Sequence, residues 1–168
     1  MNKVSALLFV SAFAAFPGVA LACPNVDGQG VRLPDLHMMP GRGVVATTVA
    51  GGGVDLGSCY SMPGYGFVAD DPDFTIRIQP APSERVVFET QADCDATLLV
   101  RTANRNTFFD DDDGPGTDAR ITLRFPSPGL YNVWLGTVDE DYCSADLSVW
   151  TEPRDSYETS SYEGEPMY

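Results

Sequence analysis

The chain is poor in the groups that carry most protein chemistry at neutral pH. Among its 168 residues there is one histidine, His37, and 10 basic residues face 24 acidic ones, for a net charge of −14. Phosphate backbones are held by basic patches, so nucleic acid is excluded as a partner. Lys3 is the only lysine, beside nine arginines; once the first residues are removed, Schiff-base chemistry has no amine to use. No serine sits in a Gly-Asp-Ser-Gly-Gly or Gly-x-Ser-x-Gly context, and His37 lies in an irregular stretch. The constellation of a serine protease is therefore not written into the chain. No two of the four cysteines have the spacing of about two to four residues that zinc sites use. His37-Met38-Met39 offers soft-metal ligands of the kind copper takes, against the plainer reading of a surface or packing role. Long helices are missing as well. Thirteen prolines and 16 glycines punctuate the chain, and nothing beyond the first 22 residues carries helical apolar periodicity. The expectation is a protein without enzymatic activity.

What is present begins with an address. Val4 to Phe16 is apolar except for Ser5 and Ser11, and Ala20-Leu21-Ala22 precedes Cys23 as an A-x-A cleavage site. Residues 1–22 read as a signal peptide whose apolar run is shorter than the roughly 20 residues of a membrane span. No transmembrane segment is expected after cleavage. A cysteine directly after the cut raises lipid anchoring through Cys23, but Ala20 and Leu21 stand in the reverse of the lipoprotein order, which favours ordinary cleavage. Export to an oxidising compartment makes two disulfides the default for Cys23, Cys59, Cys94 and Cys143. The pairing Cys23–Cys59 and Cys94–Cys143 is favoured, because Cys94 and Cys143 each open a predicted strand after an acidic or polar turn. Lipidation would leave Cys59 free.

A hydrophobic fraction of 43% is enough for a core, so wholesale disorder is excluded. Residues 23–43 read as an extended lead-in, residues 44–151 as one β-sandwich domain, and residues 152–168 as a disordered acidic tail with interspersed tyrosines. Period-two alternation marks Phe74–Gln79, Ile121–Phe125, Tyr131–Leu135 and Leu147–Trp150, with Ile121, Leu123 and Phe125 on one face. Strands also fit Val44–Ala50, Tyr65–Ala69, Arg85–Thr90 and Ala96–Thr102. Turn clusters such as Gly51-Gly52-Gly53 and Pro126-Ser127-Pro128-Gly129 separate them. Some eight short strands at this spacing predict an all-β, antiparallel sandwich.

From Cys94 the order is Cys94-Asp95-Ala96-Thr97-Leu98-Leu99-Val100, the Asn104-Arg105-Asn106 turn, Phe109-Asp110-Asp111-Asp112-Asp113-Gly114, Asp118-Ala119-Arg120-Ile121 and Pro128-Gly129-Leu130-Tyr131-Asn132-Val133-Trp134. This succession resembles the bacterial pre-peptidase C-terminal domain over about 55 residues, with a looser extension back to Asp73-Phe74. The resemblance implies a jelly-roll-like sandwich with a non-catalytic accessory role, in the bacterial periplasm or secreted. The sequence departs from the family pattern at Asn104-Arg105-Asn106, where an Asp-Gly turn is usual, and in its cysteines.

Acidic residues cluster at Asp70-Asp71-Asp73, at Asp110–Asp113 with Asp118, and at Asp139-Glu140-Asp141, each between predicted strands. Two readings of the Asp110 loop stand side by side. One is a solvated turn whose aspartates bond to backbone. The other is a calcium site with Asp111, Asp113 and Asp118 as ligands, since Ca²⁺ collects carboxylate oxygens. The loop is not an EF-hand, because Phe109 falls where the first ligand should be. Trp134 and Trp150 fall on outward strand faces, where they would stack on a sugar or pack a partner, unless long loops cover them. The expected function is an exported, non-catalytic module that recognises protein or glycan. A structural, envelope-stabilising protein without a specific ligand is the alternative.

Overall fold

The computed structural model describes residues 23–37 and 43–154. Its elements are β1 (Val31–Arg32), β2 (Leu36–His37), β3 (Gly43–Ala50), β4 (Val54–Asp55), a 3-10 turn (Leu56–Ser58), β5 (Phe67–Val68), β6 (Phe74–Gln79), β7 (Glu84–Ala92), β8 (Ala96–Arg101), β9 (Thr107–Asp110), β10 (Arg120–Leu123), β11 (Gly129–Thr137) and β12 (Cys143–Pro153). The expected all-β sandwich is what forms, with no α-helix among the described residues. The signal peptide, Met38, Met39 and residues 155–168 of the acidic tail lie outside the described residues.

Two sheets face each other. In the larger, β11 is central: β6 and β5 lie along one side of it and β8 along the other, with β9 outside β8. The smaller has the order β10-β7-β12-β3. Pairing is antiparallel except at β1 and β2, which add to β6 in parallel. The lead-in is thus partly strand, a structure its weak periodicity did not announce. Side chains from alternate positions fill the space between the sheets, among them Ile76, Ile78, Phe88, Leu98, Val100, Tyr131, Val133, Leu147 and Val149. That alternation is the two-residue period of a strand buried on one face.

β8 breaks the alternation, being buried at every position from Ala96 to Val100. Its outer face, with that of β11, lies under the 54–68 segment, which packs Val54, Leu56, Cys59 and Val68 onto Leu99 and Trp134. Leu99 and Trp134 stand opposite each other in the β8–β11 ladder. A near-continuous apolar run is what a strand covered on both faces requires. The disulfide Cys23–Cys59 ties this covering segment to the first described residue, and Cys94–Cys143 joins the turn after β7 to the first residue of β12. Both pairings are the ones favoured from the sequence.

Two expected boundaries move. β12 continues through Glu152 and Pro153, paired with Arg85 and Glu84, so the sandwich keeps two residues assigned to the tail. β10 stops at Leu123, not Phe125. Pro126 has no N–H for a ladder and disfavours the α region for the residue before it. Phe125 therefore leaves the core face and is 79% exposed.

Candidate functional site

Strand registers sort the loops into two ends. Thr137 pairs with Ala96 at one end of the larger sheet and Asn132 with Arg101 near the other; Ala145 pairs with Ala92 and Pro153 with Glu84 in the smaller. The first end gathers the connections 69–73, 93–95, 111–118 and 138–142, which hold half of the chain's 24 acidic residues. The second gathers 80–83, 102–106, 124–128 and Arg154.

At the acidic end the three aspartates read as calcium ligands are separated by their bonds. Asp118 accepts the Ala92 N–H at 2.9 Å. Asp111 accepts the hydroxyl of Tyr65, which lifts that phenol's pKa to about 12. Asp113 uses its own N–H toward Asp110. Among the described residues no three histidine, cysteine or acidic side chains gather as a metal-holding group. The organiser of the loop is Asp110, which the sequence reading passed over. One of its oxygens accepts N–H groups from Asp113 at 3.0 Å and Arg120 at 2.8 Å. Burial raises its pKa, against those two bonds.

The tryptophans part company. Trp134 is on the outward face as expected, but it is fully buried under the 54–68 segment, so it is core and not a ligand platform. Trp150 is half-buried on the outer face of the smaller sheet, and its indole N–H donates to Glu152 at 2.7 Å. That bond, with Arg85 beside it, holds the Glu152 carboxyl below its ordinary pKa.

The other end has a different chemistry. Phe125 stands between two hollows of about 250 and 370 Å³ that share Phe125 and Pro126 in their walls. Asn104, Asn106 and Phe108 line the first; Pro80, Pro82 and Pro128 line the second. The Arg154 guanidinium lies 4.5 Å from the centre of the Phe125 ring, a cation–π distance. Arg154 is itself fixed by its N–H to the Ser83 carbonyl at 2.8 Å. From below, Tyr131 donates its hydroxyl to the Ser127 carbonyl at 2.6 Å. Burial pushes the Tyr131 phenol up to about 12, so it remains a donor across the neutral range. The turn carrying Phe125 is thereby pinned to the core.

Phe125 and Arg154 were not singled out from the sequence, where Phe125 reads as the third inward residue of its strand. The signal available was Pro126, directly after it. Arg154 falls in the segment read as tail.

No family model matches the chain, and no curated protein matches it. Among solved structures it is similar to the pre-peptidase C-terminal domain of a collagenase from Bacillus anthracis, at 12% identity and a TM-score of 0.41, over 73% of this chain and 95% of that one. It is also similar to a periplasmic inhibitor of g-type lysozyme from Aeromonas hydrophila, at 12% identity and a TM-score of 0.37, over 70% of this chain and 98% of that one.

Proposed function

We propose that the chain is an exported, non-catalytic β-sandwich module that binds a protein segment of acidic and apolar chemistry at the Phe125 end. The observation that carries this reading is Phe125 itself. A phenylalanine ring 79% exposed, braced by an arginine and flanked by two hollows, offers a preformed aromatic surface to a partner. Aromatic and arginine side chains are what interface centres enrich. Arg154 beside the ring, with Arg105 in the 102–106 turn of the same end, favours a partner with carboxylates. Export is supported by the leader-like start and by four cysteines held in two disulfides, which suit the bacterial periplasm or exterior. The same disulfides leave no described thiol to act as a nucleophile. Protein is preferred over glycan because Trp134, one of two aromatics read as a sugar platform, is core.

The test is a photo-crosslinking residue placed at Phe125, with a second at Tyr60, which is exposed on the 54–68 segment, each exposed to envelope extract. A discrete adduct is expected from position 125 alone. Excess wild-type protein should compete it away, and excess Phe125→Ala protein should not. Equal competition by both proteins would reject the Phe125 end as the binding surface and leave the envelope-stability reading in its place.

A further inference from the structure

Among the described residues β3 is an edge strand without charge or proline of its own. It pairs with β12 on one side, and no strand among the described residues pairs with the other. Its sequence, Gly43-Val44-Val45-Ala46-Thr47-Thr48-Val49-Ala50, has no charge and no proline, in a chain of net charge −14. Natural edges are normally blunted by charge, proline or a bulge, because an open row of N–H and C=O groups recruits another strand. On the outer face Val45 is 69% and Val49 60% exposed, with Thr47 between them.

We propose that this edge pairs with the same edge of a second copy, antiparallel about a two-fold axis through Thr47. A continuous outer face requires outward residues to oppose outward residues. The register centred on Thr47 does this over nearly the whole strand, setting Val45 against Val49 of the second copy and Thr47 against Thr47. Cross-strand pairs of β-branched residues stabilise a sheet, and the contact is isologous, as a two-fold requires.

Charge selects the antiparallel arrangement. Ala50 lies at the acidic end, opposite Cys143, and Gly43 near the other end, opposite Trp150. Antiparallel pairing therefore brings the Asp139-Glu140-Asp141 loop of one copy alongside the less acidic end of the other, where β12 runs out to Arg154, and keeps the two acidic ends apart. Two copies of a strongly acidic protein approach with opposite ends together. The Phe125 end stays open, because β10 is the far edge of the sheet, three strand spacings or about 14 Å from β3. A strand-edge contact belongs to the small interface class, under about 1,200 Å², so a dimer with Kd on the order of 10–100 µM is expected.

Sedimentation equilibrium of the full mature chain tests the proposal, with thermal melts confirming that each variant folds. Val45→Lys/Val49→Lys places like charges opposite each other at both pairs and should weaken the dimer at least tenfold. Val45→Lys/Val49→Glu places opposite charges there and should restore it, which only this register predicts. A wild-type protein that stays monomeric at about 1 mM, far above that Kd, would overturn the proposal. So would a dimer indifferent to both double variants, or an edge that takes up a foreign strand peptide without self-pairing.

Discussion

Asp73 is the carboxylate most at odds with its surroundings. Its side chain accepts the Leu135 N–H at 2.8 Å and the Thr48 hydroxyl at 3.2 Å, tying β6 to β11 and to β3 in the other sheet. Burial outweighs those bonds and raises its pKa from 3.8 to about 6. Between those two values the folded state binds the proton and the unfolded chain does not. The stability that protonated Asp73 contributes is thus complete below about pH 3.8 and is lost as pH rises through 6. At pH 7 the charged form costs about 2–3 kcal/mol relative to a neutral side chain making the same bonds. Asn in its place keeps an acceptor for the Leu135 N–H and can donate to the Thr48 oxygen. Urea unfolding of Asp73→Asn should show a gain at pH 7 that shrinks toward zero at pH 4. A variant less stable than wild type at pH 7 would mean the second lone-pair set of the carboxylate matters more than its charge.

At the scale of elements, Cys94–Cys143 closes a loop with a sequence separation of 49 around β8, β9, β10 and β11. On the chain-entropy model, opening it by Cys94→Ala/Cys143→Ala should cost roughly 4 kcal/mol. Denaturant midpoints should fall accordingly, with the slope altered if the denatured state expands. A loss below about 1 kcal/mol would mean that the ladder between β12 and β7, not the bridge, holds this end together. The same elements show what the sequence disclosed. Alternation located β6, β10, β11 and β12 because one face of each meets the core, a period-two signal any window detects, whereas β8, read as a strand without that signal, is buried on both faces. The two-residue strands β1, β2 and β4 are too short to display a period, β5 falls inside the expected Tyr65–Ala69, and β9, with its Phe108 partly exposed, buries too little to alternate. Trp134 was legible as outward, with cover by long loops as one reading, but the segment that covers it was not. What covers it is the 54–68 segment, distant in sequence and placed by Cys23–Cys59 and by close approach. At Gly64, with φ of 94°, any Cβ would meet the Phe109 ring. The Phe125 platform was the least legible, because it depends on a strand stopping two residues early and on an arginine beyond the predicted domain.

For the whole molecule, the unequal ends set how ions act on it. Half of the acidic residues share one end, and like charges about 4 Å apart repel by about 1 kcal/mol even in water-like surroundings. Screening should therefore raise the melting temperature as sodium chloride goes from a few millimolar to roughly 0.15 M, where the Debye length falls to about 8 Å. Divalent ions need a separate argument. Asp118 is bonded to Ala92, Asp111 to Tyr65, and Asp110 to two N–H groups. Those bonds hold the carboxylates in separate places, and gathering them around an ion would compete with that arrangement. Calcium and magnesium at matched ionic strength should accordingly raise the melt by the same few degrees, at protein concentrations below the dimer range. A shift specific to calcium, removed by chelator and by Asp111→Asn/Asp113→Asn, would be the signature of a real site. Ca²⁺ tolerates the irregular oxygen sets that smaller Mg²⁺ refuses, so the two ions separate a site from a screened surface in one set of melts.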